Sequence, residues 1–434
     1  MIAAVSKPVS RAHKIRILTN SERSTAACQK RWRFAYLDGL TGGSTPAPLI
    51  QGSLWHRCLE VFYREGMRDD LATLDAAVIG PWLAGRAESE YCDPESDLEI
   101  AREVRGMLQG YLDLYGDRDR AAWEVIAVEG QVARRLPNQK RPERGFTDFR
   151  QDPRTGLSQS RAWYYGAGLD LIVRNATSGE LWLVEHKTTG ASDLDQYLRK
   201  LHLDPQIRGY AWALLDPDRD LSDPAIVAAV IKGTGVRGII YNVARKSVPR
   251  WPERIKSGTL SRAAIDTTWE RYLEAIEAHG LNELDYTDMR DKLVGKAFFA
   301  RETYLLTGAE LEDWRRDMST WGAEISRLET LPHHPRQLGV CQMHGASRCQ
   351  YASICLEDGP QARANFGIKT VRHVELTGDL SEPWVGAARN RPKQASGHAP
   401  EGDLWGSDSQ SVGTLDLSGG LTAPDEDPLA DLRD

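Results

Sequence analysis

The stretch "GLDLIVRNATSGELWLVEHKTTG", Gly168 to Gly190, decides the fold. Its flanks read as β-strands: "YYGAGLDLIVRN" and "LWLVEHKTTG" have strand-like patterning, and the cluster "NATSGE" between them, with its Ser-Gly step, marks a turn. A hairpin centred between Thr177 and Ser178, without a bulge, sets Asp170 directly opposite Glu185 on the neighbouring strand. Lys187, two residues past Glu185, projects to the same face, and His186 to the other. Two facing carboxylates repel, and an unpaired charge in a core costs several kcal/mol. A divalent cation would supply the missing positive charge, because hard carboxylate oxygens hold Mg2+; the backbone carbonyl of His186 is a further candidate ligand. Lys187 would then orient or help deprotonate a water, or meet charge developing on a phosphate. An isolated E-x-K on a strand is more often an ordinary cross-strand ion pair, so other parts of the chain must agree.

Around the hairpin the chain alternates between helix and strand. "WEVIAVEGQVARRL" upstream and "RGIIYNVARKS" downstream read as strands. In "GSLWHRCLEVFYREG", Leu54, Trp55, Cys58, Leu59 and Phe62 recur at helical spacing and leave His56 off the apolar stripe. "DPQIRGYAWALL" opens with Asp204 as cap and Pro205 in the first turn, which places Gln206 and Tyr210 on one helix face. The region from Arg262 to Leu331 reads as mainly helical. Strands bracketed by helices predict an α/β fold with a mixed central sheet flanked by helices, and helical additions at both ends.

Composition bounds the rest. With 434 residues, 41% hydrophobic and 27% charged, the chain can bury a sizeable core. Its longest apolar run, "AIVAAVI", is far short of the roughly 20 residues a membrane span needs. The N-terminal segment lacks the apolar region of a secretory signal, so a cytoplasmic location is expected, with cysteines kept as thiols. From Val374 onward 12 acidic residues face 4 basic ones, so the net charge of -7 belongs to this tail and the body is nearly neutral. The tail, rich in Gly, Ser, Pro and Asp, is expected to be disordered, either solubilising or recruiting a partner.

The pattern G-x-D followed by E-x-K resembles the core of the PD-(D/E)XK nuclease superfamily, and specifically its RecB-like exonuclease branch, which includes CRISPR-adaptation nucleases and many phage proteins. "GSLWHRCLEVF" is similar to that branch's G-x-x-x-H-x-x-L-E helix, which implies His56 as a metal ligand beside Asp170 and Glu185. "DPQIRGYAWAL" resembles its Q-x-x-x-Y helix, in which Gln206 and Tyr210 would contact substrate or the site's water and brace the lysine. "VCQMHGASRCQYASICLE" gives C-x7-C-x5-C, and the resemblance supplies a fourth thiol from "STAACQKRWRFAYL". Cys28, Cys341, Cys349 and Cys355 would then hold a 4Fe-4S cluster; the longer first gap departs from the branch's usual C-x2-C-x5-C, and His344 makes Zn2+ an alternative.

The resemblance implies a restriction-endonuclease-like core over residues 18–372, after an arm of residues 1–17 and before the acidic tail of 373–434. It implies a Mg2+- or Mn2+-dependent deoxyribonuclease, an exonuclease acting on DNA ends or single strands in phage or bacterial recombination or repair, with a recombination or replication protein as a potential partner. The segment "ARKSVPRWPERIKSGTLSR" resembles a loop of phage nucleases, with Arg245, Lys246, Arg250, Trp251, Arg254 and Lys256 as DNA contacts. A charge run of this kind can equally be a solvated loop. Two other readings stay open: a non-catalytic DNA-binding module on a degenerate core, and a zinc-stapled interaction protein.

Overall fold

The central turn forms for local reasons. Asn175 Oδ1 accepts from the backbone N–H groups of Thr177 (2.9 Å) and Ser178 (2.8 Å). Gly179 takes φ 72°, a left-handed conformation that a side chain would strain. The computed structural model describes residues 14–380 except 43–44, 66–69, 90–91, 152–155, 202, 233–234, 264, 344–348, 358 and 377–379. Its strands are β1 (Lys14–Leu18), β2 (Leu40–Thr41), β3 (Trp123–Arg135), β4 (Thr147–Gln151), β5 (Ser158–Asn175), β6 (Leu181–Thr189), β7 (Val236–Arg245), β8 (Phe299–Tyr304) and β9 (Gly367–Ile368).

β5 and β6 pair antiparallel in the register Leu171↔Val184 to Arg174↔Leu181, without a bulge. One further step in this register sets Asp170 against Glu185. The main sheet runs β1-β5-β6-β7-β8, with β3 and β4 also paired to β5. β1–β5 and β6–β7 are parallel and the other pairs antiparallel, so the sheet is mixed as expected. Within the region read as mainly helical, β8 is an additional strand.

Alternation along β6 and β7 feeds two layers. Leu183, Ile239, Tyr241 and Val243 pack with Ile207, Trp212 and Leu214 of the Pro205–Leu214 helix and with Trp314 and Met318 of the Gly308–Leu328 helix. Val184, Ile240 and Ala244 meet Trp55, Leu59 and Phe62 of the Ala47–Arg64 helix and Val104 and Leu108 of the Pro94–Tyr111 helix. Each such aliphatic side chain contributes about 1.5–3 kcal/mol on full burial. Between β7 and β8 the chain builds a satellite core of Leu260, Trp269, Tyr272, Ile276, Tyr286, Met289 and Leu293.

Both ends of the described chain join the same body. β1 begins at Lys14, within the stretch set apart as an arm, and pairs with β5; Leu376, past the expected boundary at 372, packs with Ile17, Ala133 and Leu380. β2 pairs with β9. Arg16, 2% exposed, donates to Glu329 Oε1 (2.9 Å) and to both carboxylate oxygens of fully buried Glu22 (2.6 and 3.0 Å). Glu329 is also bound by Arg161 (2.7 Å). Breaking a buried pair from one side strands the other charge, so Arg16→Met is expected to lower stability by about 3–5 kcal/mol in urea denaturation. Among the described residues no helix is long and apolar enough to cross a membrane. Residues 381–434, most of the expected tail, lie outside the described residues.

Candidate active site

A cleft of about 570 Å3 is lined by the Ala47–Arg64 helix, β3, β5 and β6, together with Gln206 and Lys246. The helix approaches closely because position 52 has no side chain: a Cβ on Gly52 would stand 3.1 Å from Thr188 Oγ1. His56, off the buried stripe as expected, reaches into the cleft with Nδ1 3.5 Å from Asp170 Oδ1. Asp170 Oδ2 accepts the backbone N–H of His186 at 2.7 Å. Burial opposes ionisation of Asp170, but His56 and the His186 N–H outweigh it and hold the carboxyl below its usual range.

Glu185 is 2% exposed. Its Oε1 accepts from Lys187 Nζ at 2.7 Å, whereas Oε2 is buried without a hydrogen-bond partner. Burial and the Asp170 charge push this carboxyl up. Lys187 also donates to Gln206 Oε1 (2.7 Å) and lies 3.8 Å from Asp204 Oδ2. Against its burial, these carboxylates keep the ammonium protonated well above its ordinary value. Asp204 caps the Pro205–Leu214 helix by accepting from Gln206 N (2.8 Å), and Gln206 Nε2 donates to the Tyr210 hydroxyl. The ammonium, which can only donate, fixes which way the amide points: its oxygen faces Lys187.

The His186 ring points into the other layer. It stacks on Tyr63 (centroids 5.5 Å apart), and Nδ1 lies 2.9 Å from Asn242 Nδ2; burial lowers the imidazole to about 3 and keeps it neutral. Tyr63 is tied to Asp119 (2.8 Å), which is paired in turn with Arg301 (2.6 Å).

Arg57, Glu60 and Glu129 are cleft residues to which the sequence reading gave no role. Glu129 lies between Val128↔Leu171 and Gly130↔Leu169, the register position facing Asp170, with φ 51°. Ligand atoms of His56, Glu129 and Asp170 lie within 4.8 Å of one another. The available signal was the Glu-Gly step inside a strand, which suggests a bulge but not where the carboxylate turns. A buried carboxylate oxygen without a donor is costly, and carboxylates with an imidazole suit a divalent cation, so this donor set fits one.

The four cysteines singled out from the sequence come together elsewhere. Cys28, Cys341, Cys349 and Cys355 line one cavity of about 200 Å3 with Arg31, Arg336, Phe34 and Tyr351. All are thiols. Cys58 is fully buried in its helix stripe, and His344 lies outside the described residues.

The basic loop divides. Arg250, Trp251, Arg254 and Lys256 are exposed, and Lys246 lines the cleft. Arg245 corrects the expectation of a DNA contact: it is 4% exposed, lies over the Phe298 ring and pairs with Asp266 at 2.8 Å. As the last residue of β7 it points inward, with no surface to offer a phosphate.

The family model of the PD-(D/E)XK nuclease superfamily matches residues 22–356, and the chain belongs to that superfamily. Membership makes it a metal-dependent nuclease of the class that acts on DNA. Among solved structures it is similar to one titled "Crystal structure of SSO0001", at 12% identity and a TM-score of 0.27, over 80% of this chain and 88% of that one. No curated protein matches.

Proposed function

We propose that the protein is a DNA exonuclease of the RecB-like branch, hydrolysing phosphodiester bonds at DNA ends or in single strands during phage or bacterial recombination or repair. The observation that carries this reading is the convergence of Asp170, Glu185 and Lys187 in one cleft, with a buried Glu185 oxygen that has no partner. His56, Asp170, Glu185 and the His186 carbonyl would hold Mg2+ or Mn2+. When bound, the cation supplies positive charge for the phosphate and lowers the pKa of a water. Lys187, 2.7 Å from Glu185, would orient or help deprotonate the water, or meet charge on a phosphate oxygen. Gln206 aims that ammonium, and Tyr210 holds Gln206.

The thiol cavity supports a 4Fe-4S cluster as a staple across the nuclease core. Arg31 and Arg336 beside it would offset the charge of the thiolates. No electron transfer is required of it, because hydrolysis is not a redox reaction.

The exposed part of the basic loop suits single-stranded DNA. Trp251, 42% exposed, would stack a base, so Trp251→Ala is expected to weaken binding of a labelled oligonucleotide by about 1–3 kcal/mol. Lys256→Ala should lower the slope of log affinity against log salt by about 1. Fluorescence anisotropy over a salt series reads both.

The deciding experiment is digestion of end-labelled linear, nicked and covalently closed circular DNA with Mn2+. Linear DNA should be degraded and closed circles spared. Equal loss of circles would replace the exonuclease by an endonuclease.

A further inference from the structure

We infer that His186 and Asn242 are positioning residues: through them a buried polar network sets the spacing between the strand of Glu185 and Lys187 and the helix of His56. The inference rests on the nuclease reading above and names residues that serve it without touching the substrate.

Past Val184 the ladder between β5 and β6 ends, whereas the pairing of β6 with β7 continues to Thr189. Glu185, His186 and Lys187 therefore lie on a stretch of strand supported from one side. The His186 N–H goes instead to Asp170 Oδ2 at 2.7 Å, so a movement of this peptide moves a carboxylate of the cleft. What holds the peptide is its own side chain. The His186 ring stacks on Tyr63 and meets the His56 ring near a right angle, with centroids 5.5 and 6.2 Å away. Tyr63 is two turns along the same helix from His56.

Behind the ring the network closes on itself. Asn242, opposite His186 in the β6–β7 register, has Nδ2 2.9 Å from His186 Nδ1 and donates to the Tyr111 hydroxyl at 2.6 Å. Arg301 Nε donates to Asn242 Oδ1 (3.3 Å), and its Nη1 and Nη2 bind Asp119 at 2.6 and 3.0 Å. Asp119 in turn accepts from the Tyr63 hydroxyl at 2.8 Å. An arginine only donates, so Asn242 presents its amide nitrogen to the imidazole; Nδ1 accepts and the ring proton sits on Nε2. Nε2 is buried without a partner. A phenyl ring would stack on Tyr63 without that cost, so what the imidazole adds is the bond from Asn242. The network is set in a layer with Phe62, Val104 and Leu108, where buried charges add little stability over apolar packing but admit one geometry.

The test compares wild type, His186→Phe, Asn242→Leu and the double variant, each as the full chain. Each single variant is expected to lower kcat on linear DNA by about 10–100-fold while KM stays within about two-fold. Affinity for Mn2+, read by electron paramagnetic resonance of the free ion, should fall by a similar factor. Because both substitutions act through one bond, the double variant should lose no more than the worse single one. A metal-free reading comes from spectra of 15N-labelled histidine. Wild type should show a ring with its proton held on Nε2, a signal missing from His186→Phe and shared between both nitrogens in Asn242→Leu. Losses that multiply in the double variant, or that track the metal-free melting temperature, make the network a packing element and overturn the inference. Single variants with wild-type kcat overturn it too and leave the nuclease reading intact. Wild type that takes up no Mn2+ and cleaves no DNA overturns both.

Discussion

Glu185→Ala is expected to reduce cleavage of linear DNA by about 10^3-fold or more while leaving DNA affinity within a few-fold of wild type. The substitution removes a cation ligand and the 2.7 Å partner of Lys187 together. Its carboxylate is buried in the floor of the cleft, away from the exposed Trp251, Arg254 and Lys256, so the binding surface is untouched. Glu185→Gln keeps the volume and loses the charge, and is expected to be equally inactive. Both variants remove the unpartnered Oε2 but also take the 2.7 Å carboxylate from Lys187, so thermal melts separate lost chemistry from lost stability. Gel assays of labelled DNA, anisotropy and thermal melts read the three quantities. Cleavage by Glu185→Ala at the wild-type rate would remove this carboxylate from the chemistry.

Cys28→Ser is expected to release iron and sulfide from anaerobically purified protein, to bleach its brown colour and to lower stability by about 3–5 kcal/mol. The size follows from chain entropy: Cys28 and Cys341 are 313 positions apart, and a link across so long a loop removes up to about 5 kcal/mol of freedom from the unfolded chain. Cys58→Ser is the control, because that thiol lies in the helix stripe and not in the cavity of the other four; it should keep its iron. Zinc in place of iron in the wild type would convert the staple to a tetrahedral thiolate site.

The residues legible in the sequence are those fixed by local rules. Asp170 and Glu185 could be opposed on paper because strand alternation has period two and "NATSGE" closes the hairpin without an extra residue. Gln206, Tyr210 and His56 came from the resemblance to nuclease motifs, while the Asp-Pro helix start and the apolar stripe placed them on their helix faces. What stayed hidden depends on contacts distant in sequence. β8 carries Arg301 and Glu302 and is paired on one side by β7, so its pattern is too polar to stand out among helices. Arg245 looked like one more loop cation because its partner, Asp266, lies 21 residues on. Glu129 could not be assigned because its left-handed backbone, φ 51°, is not written in the local sequence, and the strand that faces it lies about 40 residues on.

The charge network of Arg16, Glu22, Arg161 and Glu329 has a consequence for how the protein is made. Arg16 and Glu329 are 313 residues apart, and the arginine leaves the ribosome long before the glutamate does. Until then Glu22 and the sheet edge at β1 lack part of the structure that buries them, although every residue of the cleft has already been translated. Chains truncated before Glu329 are therefore expected to carry the nuclease machinery in a looser body, cut faster by protease than the full chain.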